Sequence, residues 1–207
     1  MSRRSRSKVL LADIMRVLPK RGRGITRRTV RESQRWRMLE AITEAVARRG
    51  YAESSVADVI ELAGVSRKTF YEHFRDKEDC FLKAYEVLSA RLVASMQSAA
   101  KPRMSVAARR RAQMTQFIAA LVHDPLVARA FMVDVLGAGE RALRARERVN
   151  ASFGEAVLGA SVSPERRAAI VGGVNAVVVG AFLDDRAAEL PAAIDDLCAF
   201  IEGASRT

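Results

Sequence analysis

Residues 56–74 read VADVIELAGVSRKTFYEHF, and two short helices are written into them. Ser54 or Ser55 stands where a side-chain oxygen takes a backbone N–H of a helix's first turn, so a helix is expected from about Val56 to Ala63. Gly64 ends it, because glycine accepts the left-handed backbone of a tight turn without steric cost. Ser66 caps the next helix, expected from Arg67 to Phe74. In that helix Phe70 and Phe74, four residues apart, share one face, while Arg67, Lys68, Tyr71 and Glu72 point elsewhere.

The flanks carry the same helical period. Upstream, helix-like spacing begins near Thr29, with Met38, Leu39, Ile42 and Val46 at intervals of three or four, and Gly50 stops the run. Downstream, Asp76 followed by Asp79 resembles a capping box opening a long helix whose stripe is Phe81, Tyr85, Leu88, Leu92 and Met96, ended by Pro102. Further helices are expected at about 105–122, 125–137, 140–159, 164–187 and 191–203, two of them opened by Asp124-Pro125 and Ser163-Pro164. With 49% hydrophobic residues, 5 Pro and 12 Gly, the 207-residue chain affords a real core and favours helix over turn-rich sheet. The expected class is all-α, without internal repeats.

The net charge of +11 is unevenly placed. Residues 1–50 hold 15 Lys/Arg against 4 Asp/Glu, residues 51–80 are acidic by three, and the rest is basic by three. A basic head on a nearly neutral body implies a polyanion approached from one end. Cys80 and Cys198 are too few and too far apart for a disulfide framework or a zinc motif, and read as small apolar residues of a reduced compartment. Residues 8–18, KVLLADIMRVL, follow a basic start, yet Asp13 and Arg16 interrupt the apolar run, so a cytoplasmic location is expected. Residues 168–183 run sixteen without a charge, but a span needs roughly 20, and a helix buried at a subunit interface is expected instead of a membrane segment.

Two short helices joined by a glycine turn form a helix-turn-helix arrangement, which also occurs in proteins that never meet DNA. Here the early residues of the second helix are Arg67 and Lys68, and an arginine there can pair with guanine O6 and N7 in a major groove. The basic arm before it and Tyr71 and His73 beyond belong to the same docking surface. The expected partner is double-stranded DNA.

The block from Arg37 to Tyr85, with RMLEAI, then ARRGY, then SSVADVIELAGVSRKTFYEHFRDKEDCFLKAY, resembles the N-terminal domain of TetR-type repressors over about fifty residues. The resemblance implies base contacts from Arg67 and Lys68 and phosphate or base contacts from Thr69, Tyr71 and His73. It also implies a phosphate held by Lys77, and Ser55 at the start of its helix against the DNA backbone, beside Ser66 at the start of the next. Ile60 stands where the family usually has a small residue, and Val46 replaces a common aromatic. The organisation that follows is a flexible basic arm over 1–30, a helix-turn-helix DNA-binding domain over 31–77, and an effector-binding and dimerisation domain over 78–207.

In the arm, Lys20-Arg21-Gly22-Arg23-Gly24 resembles the Arg-Gly-Arg core of AT-hook peptides. Arg21 and Arg23 either enter a minor groove or belong to a solvated basic tail, and both readings steepen the salt dependence of binding. His73 and His123 are the only histidines, and neither has an acid or cysteine at ligand spacing, so no metal, no cofactor and no catalytic activity are expected. In the body, Gly172, Gly173, Ala176 and Gly180 permit close helix approach, and Ile194, Leu197, Cys198 and Ile201 give the last helix its stripe. These two helices are expected to build a four-helix interface in a homodimer, the alternative being a helix buried within a monomer. Met96, Met104, Met114, Phe117, Leu121, Phe131, Met132, Leu136 and Phe153 are candidates to line an adaptable pocket for a small lipophilic effector, or to be ordinary core. The function expected is a repressor released from a near-palindromic operator by that effector. Its rivals are an effector-independent nucleoid-associated DNA binder and a catalytic helical protein with a vestigial head.

Overall fold

The computed structural model describes residues 27–205, and most of its helices open on a side-chain cap. Nine α-helices occur among these residues. The first three are α1 (Arg27–Arg49), α2 (Val56–Ala63) and α3 (Arg67–His73). Then follow α4 (Lys77–Ala99), α5 (Val106–His123), α6 (Pro125–Met132) and α7 (Glu140–Leu158). The last two are α8 (Pro164–Leu183) and α9 (Ile194–Ser205), and no strand is present among the described residues. The basic arm with Arg21 and Arg23, and the short helix expected at 8–18, lie outside the described residues, except that 27–30 form the first turn of α1.

Of the two candidate caps for α2, Ser55 serves: its Oγ accepts the Asp58 N–H, and Asp58 returns a bond to the Ser55 N–H at 2.8 Å. Ser54 is buried and donates to the Gly50 carbonyl at 2.7 Å. Gly64 closes α2 at φ +60°, a conformation that a side chain would strain. The expected box at α4 is half made: Asp76 accepts the Asp79 N–H at 2.6 Å, but Asp79 accepts from Arg75 rather than from the cap residue itself.

Three expected helices are shorter than their sequence periods. The segment 125–137 breaks after Met132 into a tight 3₁₀ turn, Asp134–Gly137. The segment 164–187 ends at Leu183, since Asp185 takes a positive φ of 56° that no α-helix continues. Pro191, having no N–H to give, sits in a 3₁₀ segment, Ala187–Ala193, and α9 begins only at Ile194.

Two apolar cores hold the helices. The first joins Met38, Ile42 and Val46 of α1 to Val59, Phe70 and Phe74, and continues through Phe81, Tyr85 and Leu88 of α4 to Phe131, Val135 and Ala142. The second gathers Met96, Met114, Ile118, Phe153, Val174, Val178 and Ile201. The boundary expected at 77/78 is therefore not a boundary of packing: α4 is embedded in the head at one end and in the body at the other. A tilt of α4 relative to the body must move the head.

In α8 and α9, the expected stripe Leu197, Cys198 and Ile201 is buried against the protomer's own core. Their outer faces instead leave Val177, Leu183 and Phe200 exposed. Phe200 lies over Gly173, where an added Cβ would meet the ring at 2.8 Å, so the helices approach closely only because residue 173 has no side chain. Helix α8 is long and apolar enough, by length and composition, to cross a membrane, and 33% of its apolar window is buried inside the protomer.

Candidate functional site

Helix α3 is pinned from below and free above. Phe70 and Phe74 are fully buried, each contributing about 1.5–3 kcal/mol by area alone. Arg67 in the first turn, and Lys68, Tyr71 and Glu72 away from the two rings, are exposed. Tyr71 leans edge-on against Phe70, with ring centroids 5.3 Å apart, which fixes the phenol in an outward pose. Ser66 Oγ accepts the Thr69 N–H at 3.0 Å and lies 3.0 Å from the Thr69 hydroxyl, so both hydroxyls are committed first to capping. Ser66, Arg67, Lys68, Thr69 and Tyr71 thus stand at the cap and first turns of a single helix, with Arg67, Lys68 and Tyr71 exposed.

At the other end of α3 stand two residues that sequence reading did not single out. Arg31 donates to the Glu72 carbonyl at 3.3 Å, and the Arg35 guanidinium lies 4.9 Å from the centre of the Phe74 ring. Both complement the negative C-terminal end of α3. Their signal was present as a four-residue interval in RESQRWR, but a basic run reads equally well as a solvated face. Burial, and then Arg31 and Arg35, hold the His73 imidazole below its ordinary pKa against the opposing pull of Glu72. In the free protein the neutral imidazole is therefore favoured.

Ser55 sits exposed at the start of α2, its hydroxyl 2.6 Å from Asp58, whose carboxylate also pairs with Arg49 at 2.6 Å. Lys77, expected to hold a phosphate, has partners within the chain: its ammonium donates to the carbonyls of Tyr51 at 2.7 Å and Ser54 at 2.8 Å, and lies 4.2 Å from the Tyr51 ring centre. The loop between α1 and α2 leaves carbonyls without helical partners, and the first turn of α4 delivers a cation to them. Burial lowers the Lys77 pKa, with Glu53 opposing. The residue is a staple that positions the capping box of α2.

In the body, a cavity of about 60 Å³ opens among α4, α5, α6, α7 and α8. Of the residues proposed for a pocket, Phe117, Leu121, Phe131, Met132 and Phe153 line it together. Met96 and Met114 share the faces of α4 and α5 that line the opening, but each lies a turn farther along its helix and packs in the second core. Leu136 is exposed on the 3₁₀ turn, and Met104 is exposed between α4 and α5. The lining that sequence reading missed comes mainly from α4 and α7: Tyr85, Leu88, Ser89, Leu92 and Val93, and Arg146, Val149 and Asn150. Asn175 of α8 completes it and donates to Asn150 Oδ1 at 3.1 Å. The Tyr85 phenol, bonded to Ser89, is pushed up to about 12 by burial and stays protonated.

Helix α7 also reaches the head. Arg141 pairs with Glu78 at 2.8 Å and lies 3.6 Å from Asp76 and 3.9 Å from Asp79, all in the first turn of α4 or its cap. Arg148 holds Glu86 at 3.0 Å further along. One helix thus lines the cavity and grips the element that carries α3.

Comparison with known proteins places this geometry. Residues 38–84 match the family described as bacterial regulatory proteins, tetR family. The HTH-type transcriptional regulator TtgR of Pseudomonas putida is 42% identical over 57 residues, spanning 27% of this chain and 27% of that protein. The HTH-type transcriptional activator FasR of Mycolicibacterium smegmatis is 28% identical over 97 residues, 47% of this chain and 44% of that one. The chain thus spans about a quarter to under a half of the length of these relatives. Likeness of fold reaches further. FadR from Bacillus subtilis, solved in complex with stearoyl-CoA, superposes with a TM-score of 0.70 at 16% identity, covering 80% of this chain and 96% of that one. The fatty acid degradation regulator FadR from Bacillus halodurans gives 0.69 at 17% identity, with the same coverage.

Proposed function

We propose that this chain, whose residues 38–84 match the tetR family of bacterial regulatory proteins, is a cytoplasmic homodimeric TetR-type repressor, not an enzyme, released from a near-palindromic operator by a small lipophilic effector. The observation that carries the reading is α3 itself. It is a capped helix, fixed by two buried phenylalanines, that offers Arg67, Lys68 and Tyr71 to a major groove.

A dimer is supported by the outer faces of α8 and α9, where Val177, Leu183 and Phe200 are exposed beside glycines with open space around them. A second copy laid on that face buries them in a four-helix interface. Two-fold symmetry then sets the heads about 34 Å apart, one turn of DNA. Arg31, Arg35 and Ser55 flank α3 and meet phosphates, while Arg21 and Arg23 of the arm add to the salt dependence. The effector site is the cavity against α4, and the stearoyl-CoA held by the B. subtilis FadR supports a lipophilic occupant. An effector that wedges α4 tilts the head through the shared core and spoils the spacing, so effector and DNA affinity are coupled reciprocally.

Selection of bound fragments from random DNA tests specificity, symmetry and spacing together. The expected product is an inverted repeat with half-sites about one turn apart. Recovery of unrelated sequences would favour the nucleoid-binder reading and end this one.

A further inference from the structure

The lining of the cavity is mostly apolar, and its single charged side chain is a poorly partnered cation on α7. On α7 the positions 146, 149, 150 and 153 follow the helical spacing of a single face, and all four line the opening. Two are apolar, Val149 and Phe153; the others are Arg146 and Asn150. Across from them stands Asn175, buried and bonded to Asn150.

Arg146 differs from the other arginines of its helix. Arg141, Arg144 and Arg148 are more exposed, and each holds a carboxylate at 2.5–3.0 Å. The Arg146 side chain is only 19% exposed, yet its ion pair is with the next residue, Glu147, at 3.8 Å, and that carboxylate is 69% exposed. A pair so long and so wet contributes little, while a guanidinium held largely out of water needs an anion with good geometry. The most buried cation of α7 has the poorest partner, and it lies at the mouth of an aromatic-lined slot.

We propose that the effector is an amphipathic monocarboxylate, its carboxylate paired with Arg146 and supported by the amides of Asn150 and Asn175. Its apolar tail lies between Phe117, Leu121, Phe131 and Phe153. The small free volume selects a slender tail, either straight-chain or singly aromatic. The assignment rests on reading this cavity as the effector site, and goes beyond a merely lipophilic occupant by requiring a charge at one end.

The test uses the full chain and calorimetric titration with straight-chain carboxylates of six to eighteen carbons and phenylalkanoates, each beside the alcohol of equal length and, for the straight chains, the coenzyme A thioester. The expected result is saturable binding of one or more acids, with the matching alcohol at least about tenfold weaker. In Arg146→Met that acid-over-alcohol ratio falls towards one, while Arg146→Lys keeps part of it. Thermal unfolding of both variants reports whether they fold, and the wild-type ratio stands independently of them. Equal affinity for acid and alcohol, preference for the thioester over the free acid, retention of the acid preference in folded Arg146→Met, or no binding by any acid would each overturn the assignment. Operator affinity measured with the same ligands separates the two claims. Acids that bind through Arg146 but leave DNA binding untouched sink the regulatory reading and spare the site. Alcohols that release DNA where acids do not sink the site and spare the regulator.

Discussion

The segment 54–74 and the cavity of the body are specified by different kinds of information. In the head, the caps and the outward ring are placed by neighbours no more than four residues away, Ser55 by Asp58, Ser66 by Thr69 and Tyr71 by Phe70, while the core residues of α1 and α4 hold Phe70 and Phe74 from below. In the cavity, the lining comes from five helices, and its one cross-helix polar bond, Asn175 to Asn150, joins residues 25 apart in sequence. Local chemistry sets the caps and turns of the head, and packing only docks them, whereas the sensor exists only after the helices have packed. A protein built this way can vary its effector without disturbing the face that meets DNA.

The largest effect that would break this contrast is expected at the anchors. Phe70→Ala or Phe74→Ala leaves a cavity under α3 and should cost about 3–5 kcal/mol in denaturant unfolding, with loss of operator binding. If either variant unfolds like wild type, α3 is not held from below as described. Next in size is Arg67→Ala. It should lower discrimination between operator and mutated operator by about 1–3 kcal/mol in competition binding, yet change stability by no more than about 0.5 kcal/mol. An equal loss of affinity on all sequences would turn Arg67 from a base reader into a phosphate contact.

These anchors were legible because period and caps are local signals: the two serine caps, Gly64 and the Phe70/Phe74 spacing can be read in a line of text. The pocket was half legible. Phe117, Leu121, Phe131, Met132 and Phe153 were within reach as large apolar residues of the body, but nothing in the sequence separates them from Met96 and Met114, which pack as core. That distinction lies in where along α4 and α5 the neighbouring helices leave an opening, a tertiary fact, since Met96 and Met114 share faces with the lining residues. Arg146 was hidden for a related reason: in ERALRARERVN it is one arginine of four, and only packing turns it inward while the others meet carboxylates. Lys77 shows a role that the sequence did not suggest. Its position at the start of α4 suggested an outward role, and the carbonyls that claim it come from a loop more than twenty residues earlier.

Lys77 also offers a sharper comparison than stability alone. Lys77→Met should destabilise the head by about 1 kcal/mol, because the Tyr51 and Ser54 carbonyls lose their donor. Since the ammonium is not spent on DNA, the slope of log affinity against log salt should remain as in wild type. Arg31→Ala, which removes a cation at the rim of α3, should instead make that slope shallower by about one. A shallower slope for Lys77→Met would restore it as a phosphate ligand and remove the staple.

The smallest expected effect concerns His73. Its folded pKa lies below the ordinary 6.5 because burial and the charges of Arg31 and Arg35 disfavour the imidazolium. A group depressed in this way takes up protons more readily in the unfolded chain. Its contribution to stability is therefore complete above pH 6.5 and is lost as the pH falls through the lower folded value. Replacing it by Gln removes that proton uptake, so thermal unfolding of the variant should decline less than that of wild type between pH 7 and pH 5, with the two curves parallel above pH 7. In the DNA complex the sign reverses, since a nearby phosphate favours the charged ring. Acidification over the same interval should strengthen binding by the wild type relative to His73→Gln. Wild-type and variant affinities that keep a constant ratio across that range would mean that the imidazole does not face the duplex, and would withdraw it from the head while leaving Arg67, Lys68 and Tyr71 in place.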